Sequence, residues 1–385
     1  MITRQSAWLV LEDGTAYPGR GFGTLRQAAG EVVFHTGMTG YQEILTDPSY
    51  RRQIVAMTAP QIGNYGVHDG DAESAGVHAQ GLVVRELTSR PSNWRSQGSL
   101  EDYLGAAGVP GIEGVDCRDL TRRLREKGAL RGMIVHGEVD LAEAVTSARG
   151  LPSMVGRDLV REVTCPRPYL WEGTPGAQSE DQTWLGNELP GEPWSVVVYD
   201  FGVKWNILRS LRARGCKVTV VPATTPAEEV LERRPDGVVL SNGPGDPAAV
   251  TCGVDAARAL ACKLPVLGIC LGHQLLGLAA GGRTFKLKFG HHGANHPVRV
   301  LSTGNVEITS QNHGFAVDAE SLRKSGYVPT RLNLNDGTLE GFRHRELPVL
   351  AVQYHPEAAP GPHDAAPLFD RFIDLMRGTP AAEAG

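Results

Sequence analysis

The chain has 385 residues, more than one domain usually contains, so two domains are expected. Hydrophobic residues make up 41% of the sequence, which supplies apolar surface for packed cores and argues against a largely disordered protein. The net charge is −5 and the lysines and arginines are spread along the chain, which gives no support to a nucleic-acid or anionic-membrane surface.

The amino half has the pattern of short strands joined by turns, with two helices between them. The run VDCRDLTRRLREKG predicts a helix that is capped by Asp116 or Asp119 and ended by Gly128, and DLAEAVTSARG predicts a helix that ends at Gly150. The β-rich runs are separated by glycine or proline and include EVVFHTG, RQIVAMT, GLVVREL and RGMIVHG. An α+β domain over residues 1–150 is therefore expected, with mainly local strand pairing.

The first residues, MITRQSAWLVLEDG, lack the apolar core and cleavage site of a secretory signal. The six cysteines include no CxxC pair, which fits free thiols in a reducing compartment. A cytoplasmic location is therefore expected.

The carboxyl half shows a different pattern. Residues 151–192 have weak periodicity and are rich in proline, glycine and acidic residues, so they are expected to form a connector. Over residues 193–380, apolar strand-like runs such as WSVVVYD and CKVTVVP alternate with helical segments. This alternation predicts a doubly wound, largely parallel α/β domain, with helices on both faces of its sheet.

The most apolar window is LPVLGICLGHQLLGLAAGG, residues 264–282. A membrane span is excluded because the window contains proline, histidine, glutamine and five glycines. Its center, GICLG, has the form of a nucleophile elbow between a predicted strand and a predicted helix. There Cys270 would have strained backbone angles and the helix dipole would favour its thiolate, while the amide of Leu271 would face an oxyanion. A buried structural cysteine is the alternative.

A candidate base for the Cys270 thiol is His355, which directly follows the predicted strand PVLAVQY. In an extended segment His355 and Glu357 project to the same side, so the carboxylate can orient the imidazole. Pro356 favours the extended conformation of His355. Together with the elbow, these residues predict a Cys270, His355, Glu357 triad.

A third feature is the glycine-rich loop SNGPGDP, residues 241–247. It follows a predicted parallel strand, and ligands of α/β domains bind at the carboxyl ends of such strands. Its amides could complete an oxyanion hole, although a plain turn is the alternative. The loop lacks the Lys-Ser/Thr ending of a phosphate-binding loop.

In their order and spacing, three of these motifs resemble those of the triad-type, or class I, glutamine amidotransferases: GICLGHQLL, SNGPGDP and HPE. Further stretches in both halves narrow the resemblance to the small, glutamine-hydrolysing subunit of carbamoyl phosphate synthetase, among them EVVFHTGMTGYQEILTDPSYRRQIV, GVDCRDLTRRLREKG, FGHHGANHPV and TSQNHGFAV. The resemblance covers essentially the whole chain.

The resemblance implies that Cys270 attacks glutamine to form a glutamyl thioester, that His355 relays protons and that Glu357 orients His355. It also implies a glutamine pocket to which the amino domain contributes Ser49. The implied glutamine-binding residues are Ser49, Gly243, Gly245, Leu271, Gln274, Asn312, Gly314 and Phe315.

No cofactor is expected in this chain. The histidines of GHHGANH match no standard zinc-ligand spacing, and the resemblance implies no metal there. No ATP-binding loop is recognizable, so ATP and a divalent metal are expected on a large synthetase subunit, which would use the ammonia for arginine and pyrimidine synthesis. Two other hypotheses are a free-standing thiol hydrolase, such as a γ-glutamyl hydrolase, and a catalytically inactive regulatory scaffold.

Overall fold

The computed structural model describes residues 5–173 and 192–378 and divides the chain into two compact units. The first unit contains Met1–Met154 and Lys288–Gly293, and the second contains Val155–Leu287 and Ala294–Gly385. Residues 288–293, which the sequence predicts to lie in the carboxyl domain, cluster with the first unit. Residues 174–191 of the predicted connector and residues 379–380 lie outside the described residues.

The first unit contains a closed β-barrel, a two-stranded sheet and four α-helices within its described residues. In barrel order the strands are β1 (Ser6–Leu11), β2 (Ala16–Gly23), β8 (Pro110–Glu113), β6 (Gly81–Val84), β4 (Gln53–Met57), β3 (Ala28–His35) and β9 (Leu130–His136). The small sheet pairs β5 (Gln61–Ile62) with β7 (Glu86–Leu87). The helices are α1 (Tyr41–Thr46), α2 (Leu100–Ala106), α3 (Cys117–Lys127) and α4 (Leu141–Gly150), with 3-10 turns at Pro48–Tyr50 and Asp69–Asp71.

The predicted α+β content of this half is confirmed, but the prediction of mainly local strand pairing is wrong. The barrel closes through distant pairs: β1 runs antiparallel to β9, with Ala7 opposite His136, and β2 runs antiparallel to β8. Its β3, β4, β6 and β8 form parallel pairs, which require crossover connections. An alternating apolar pattern shows which face of a strand is buried, but it does not show which strand is the neighbour.

The helix α3 agrees with its sequence signals. The Asp116 side chain accepts a hydrogen bond from the Asp119 amide at 2.9 Å, and the helix ends at Gly128 with a φ of 101°. This φ lies in the region that glycine adopts without a steric penalty. The predicted cap and stop of this helix are confirmed.

In the part of the second unit that the structure describes, the strands form a ten-stranded sheet. In sheet order the strands are β10 (Tyr169–Leu170), β12 (Cys216–Pro222), β11 (Trp194–Asp200), β13 (Gly237–Leu240), β14 (Val266–Ile269), β19 (Val349–Val352), β18 (Leu339–His344), β17 (Tyr327–Asn333), β15 (Thr284–Val300) and β16 (Val306–Val317). The helices are α5 (Trp205–Arg212), α6 (Ala227–Glu232), α7 (Thr251–Ala261), α8 (Leu271–Ala279) and α9 (Pro367–Met376), with 3-10 turns at Val160–Glu162, Pro247–Ala249 and Ala319–Leu322.

The central strands β12, β11, β13, β14 and β19 are parallel, and both faces of the sheet are covered. Along β11, Val196 and Val198 belong to one apolar cluster, whereas Val197 and Tyr199 belong to another on the opposite face. A strand that is buried on both faces needs a continuous run of apolar residues, and WSVVVYD supplies such a run for β11. The predicted doubly wound domain is confirmed, with strands β18, β17, β15 and β16 added at one edge, where β18, β17 and β15 pair antiparallel to their neighbours.

The window 264–282 folds as the strand β14 and the helix α8, with Cys270 between them. Across residues 5–173 and 192–378, none of the helices combines the length and the apolar character that crossing a membrane would require.

Candidate active site

Cys270 occupies a strained turn where β14 ends and α8 begins. Its φ and ψ are 54° and −102°, a combination that side-chain-bearing residues rarely adopt. Two hydrogen bonds hold the turn: the Cys270 amide donates to the Val352 carbonyl at 2.9 Å, and its carbonyl accepts from the Gln274 amide at 3.2 Å. The predicted elbow geometry is confirmed.

The glycines on either side of Cys270 make this turn sterically possible. A Cβ atom on Gly272 would lie 2.0 Å from the Leu240 carbonyl oxygen. A Cβ atom on Gly268 would lie 2.6 Å from a methyl group of Leu276 and 2.8 Å from the Gly272 carbonyl oxygen. Both positions exclude any larger residue without a shift of the backbone.

His355 and Glu357 form a buried pair next to the elbow. The Nδ1 atom of His355 lies 2.6 Å from Oε1 of Glu357, and the two side chains are 1% and 0% exposed. Burial alone would lower the pKa of His355, but the negative charge of Glu357 and the interaction with the Cys270 side chain outweigh it and raise that pKa to about 10. The imidazole is thus oriented by the carboxylate and stabilised in its protonated form.

Two residues that were not predicted from the sequence hold Glu357, one through its carboxylate and the other through its backbone carbonyl. The Nζ atom of Lys204 lies 3.0 Å from Oε1 of Glu357 and also donates to the Ala358 carbonyl, and Nδ2 of Asn206 donates to the Glu357 carbonyl. Burial would raise the pKa of Glu357, but Lys204 and His355 lower it to about 2. Their position in the sequence could have indicated a place in the site, because Lys204 and Asn206 follow the carboxyl end of a central parallel strand.

The loop SNGPGDP is tied to the elbow, since the Ser241 carbonyl accepts from the Gly272 amide at 3.0 Å. A Cβ atom on Gly243 would lie 2.1 Å from the Phe201 carbonyl oxygen. Gly245 has a φ of 95°, which favours glycine. The loop therefore runs beside the start of α8, where its amides can serve the same ligand as Cys270.

The strand β16 lies against Cys270 and the first turn of α8. The Sγ atom of Cys270 lies 3.6 Å from the carbonyl oxygen of Asn312, to which it donates a weak hydrogen bond. One turn into α8, Nε2 of Gln274 donates to the carbonyl oxygen of Phe315 at 2.8 Å. The structure therefore brings the predicted binding residues Gln274 and Phe315 into contact, and places Asn312 against the sulfur of Cys270.

The second unit thus contains the predicted catalytic residues and all but one of the predicted glutamine-binding residues. Ser49 lies in the first unit, in the 3-10 turn Pro48–Tyr50, where its amide donates to the Asp47 side chain at 2.9 Å. Those in the second unit are Cys270, His355, Glu357, Gly243, Gly245, Leu271, Gln274, Asn312, Gly314 and Phe315.

A second histidine lies close to Cys270 in the sequence, but it is unsuited to act as a base. His273 is fully buried in α8, and its ring centroid lies 4.4 Å from that of Phe342. Burial lowers the pKa of His273 to about 3, so its ring is neutral at physiological pH. His355 is therefore the histidine that is equipped for proton transfer.

A glutamine-like electrophile should modify Cys270 and no other cysteine at neutral pH. Burial raises the pKa of the Cys117, Cys165 and Cys216 thiols to about 12, so these remain protonated. Mass spectrometry of peptides after labelling tests this. Cys262 is exposed and provides a control, because a general thiol reagent should reach it. Comparable labelling of two cysteines by the glutamine analogue would contradict the prediction.

Comparisons with known proteins cover both halves of the chain. Residues 9–134 match the family model "Carbamoyl-phosphate synthase small chain, CPSase domain", and residues 197–375 match "Glutamine amidotransferase class-I". The chain is 55% identical over 371 residues to the carbamoyl phosphate synthase small chain of Syntrophotalea carbinolica, covering 96% of this chain and 97% of that one.

Two further relatives carry the same name. The chain is 56% identical over 377 residues to the carbamoyl phosphate synthase small chain of Thioalkalivibrio sulfidiphilus, with 96% of this chain and 97% of that one covered. It is 52% identical over 382 residues to that of Escherichia coli K12, with 97% of each covered. At this identity over almost its full length, the chain belongs to the family of carbamoyl phosphate synthase small chains.

Proposed function

We propose that this chain is the glutaminase subunit of a glutamine-dependent carbamoyl phosphate synthase. It would hydrolyse L-glutamine to glutamate and ammonia and deliver the ammonia to a large synthetase subunit. The observation that carries this proposal is the buried His355–Glu357 pair, at 2.6 Å, beside a cysteine on a strained elbow. This arrangement is that of an activated nucleophile with an oriented base.

In the first half of the reaction, His355 takes the proton from the Cys270 thiol and the sulfur attacks the side-chain amide carbon of glutamine. The resulting oxyanion lies near the Leu271 amide at the start of α8, where backbone N–H groups and the helix dipole favour negative charge. The amides of the Gly243 loop can contribute a second donor. When the tetrahedral intermediate collapses, protonated His355 gives its proton to the leaving nitrogen, which departs as ammonia.

In the second half, His355 removes a proton from water, which attacks the glutamyl thioester. Collapse of the second intermediate releases glutamate and returns the proton to the Cys270 sulfur. Throughout both halves Glu357 stays ionised, because Lys204 and the imidazolium lower its pKa. Its role is to hold the His355 ring and to balance the imidazolium charge.

The remaining chemistry is assigned to the partner. Formation of carbamoyl phosphate from bicarbonate, ATP and ammonia needs an ATP site, which we place, with its divalent metal, on the large subunit. We propose no cofactor for this chain. The carbamoyl phosphate would serve arginine and pyrimidine synthesis in the cytoplasm. The match of residues 9–134 to the small-chain domain favours this function over a free-standing thiol hydrolase.

The isolated chain should hydrolyse glutamine slowly, and the large subunit should accelerate it by about 10- to 100-fold. Small misplacements of catalytic groups have effects of this size, and binding of the partner would correct them. Steady-state release of glutamate, measured with and without the purified large subunit, tests this. Bovine serum albumin in place of the large subunit is the control. Equal rates in the presence and absence of the partner would count against a synthetase subunit and in favour of a free-standing hydrolase.

A further inference from the structure

The side-chain amide of Gln274 is held by two acceptors. Its Nε2 atom donates to the Phe315 carbonyl oxygen at 2.8 Å and to Oε1 of Gln353 at 3.1 Å. A backbone carbonyl can only accept, so the atom of Gln274 that faces it must be the nitrogen. An amide nitrogen carries two hydrogens, and both are donated here. The group that Gln274 can offer to a ligand is therefore its oxygen, an acceptor.

The Phe315 carbonyl is itself fully engaged. Besides Gln274 Nε2, it accepts a hydrogen bond from Nδ1 of His313 at 2.7 Å. A carbonyl oxygen has two lone pairs, so these two donors use its capacity. The first acceptor of the Gln274 amide is thus fixed on the strand β16.

The second acceptor, Gln353, lies at the end of a central strand and is hydrogen-bonded to the neighbouring strand β18. It directly follows β19, its side chain is fully buried, and its amide donates to the Glu340 carbonyl at 2.9 Å. It precedes the proposed base His355 by two residues. The backbone hydrogen bond to β18 and the burial of the side chain therefore restrict the position of its Oε1 atom.

We propose that Gln353 is a positioning residue: it holds the Gln274 amide with its oxygen available to the α-ammonium group of glutamine. Gln353 does not contact the substrate in this account. A reversed Gln274 amide would present its NH2 group to the ammonium and repel it, so the orientation sets a preference for a substrate with a positive charge at that position. The inference rests on the proposed glutaminase function.

The test replaces Gln353 in the assembled enzyme with methionine, which is similar in length but whose thioether sulfur is only a weak acceptor. In Gln353→Met the KM for glutamine should rise about 5- to 10-fold, with kcat changed less than about 2-fold, because one of two anchors is lost. Glutaramate, which is glutamine without its α-amino group, should be hydrolysed with little change in kcat/KM. The preference for glutamine over glutaramate should therefore fall by the same factor as the KM rises.

A merely structural effect of the substitution would lower kcat/KM for both substrates alike and leave the preference unchanged, and that result would overturn the proposal. Gln353→Leu removes the same acceptor with a different shape, so the result does not depend on the folding of one variant. In a Gln274→Met background, Gln353→Met should add no further loss of preference, whereas an additive loss would contradict action through Gln274.

Assays of the wild-type complex distinguish a failure of the proposed glutaminase function from a failure of the proposed role of Gln353. If the wild-type complex hydrolysed no glutamine, the proposed function itself would be wrong. If it hydrolysed glutamine and Gln353→Met left the preference unchanged, only the positioning role would be wrong.

Discussion

Glutamine-dependent carbamoyl phosphate synthesis should fall by at least about 10³-fold when Cys270→Ser is introduced into the assembled complex, while synthesis from added ammonia should persist. Serine is nearly isosteric, but its hydroxyl has no thiolate fraction to exploit at pH 7. Removing the nucleophile from a catalytic triad commonly costs this much or more. Binding of glutamine should survive, because the pocket retains its shape. Parallel assays with glutamine and with ammonium chloride provide the measurement.

The control for this substitution is Cys262→Ser at the exposed end of α7, which should retain both activities. The pair of assays also separates the competing hypotheses. A free-standing hydrolase would have no ammonia-dependent synthesis to preserve, and an inactive scaffold would lose nothing when Cys270 is replaced. Loss of both activities together would mean that Cys270 has a structural role.

Replacement of the base should have a comparable effect on hydrolysis. In His355→Asn, the amide can still donate to Glu357, so the neighbouring Lys204–Glu357 pair should persist. Asparagine cannot accept and return a proton, however, and general acid–base catalysis contributes about 10²- to 10⁴-fold. The rate of glutamine hydrolysis should therefore fall within that range, as measured by glutamate release from the complex.

His344→Asn is a matched control for this variant. The Nδ1 atom of His344 accepts from the amides of Glu346 and Leu347 in a turn at the end of β18, a role that asparagine can replace. Hydrolysis should remain close to the wild-type rate. If His355→Asn kept more than about a tenth of the wild-type rate, another group would have to be the base.

The triad could be predicted from the sequence because each of its parts has a local signature. The elbow requires glycines two residues before and after Cys270, and His355 and Glu357 are only two residues apart. The extended segment expected for this pair is wrong, however, because Pro356 and Glu357 form a turn in which the Ala358 amide donates to the His355 carbonyl at 3.1 Å. These constraints act over a few residues and are readable without the fold. The same applies to α3, whose ends are fixed by Asp116 and Gly128.

The supporting contacts could not be predicted in this way. Lys204 meets Glu357 across 153 positions of sequence, and Gln274 meets Gln353 across 79. Their meeting depends on the order of the strands in the sheet, which apolar periodicity does not specify. The closure of the barrel in the first unit was missed for the same reason, and so was the membership of Lys288–Gly293 in that unit. A side chain that acts by holding another catalytic or binding residue is not marked by a motif in the neighbouring sequence.

The most direct measurement is to quench the complex with acid during steady-state turnover of glutamine and to determine the mass of the peptide that contains Cys270. The account predicts that this peptide gains the mass of one glutamyl group, that the gain disappears on treatment with hydroxylamine, and that it is absent from Cys270→Ser. Active turnover without such an adduct on Cys270, or with the glutamyl group on another residue, would contradict it.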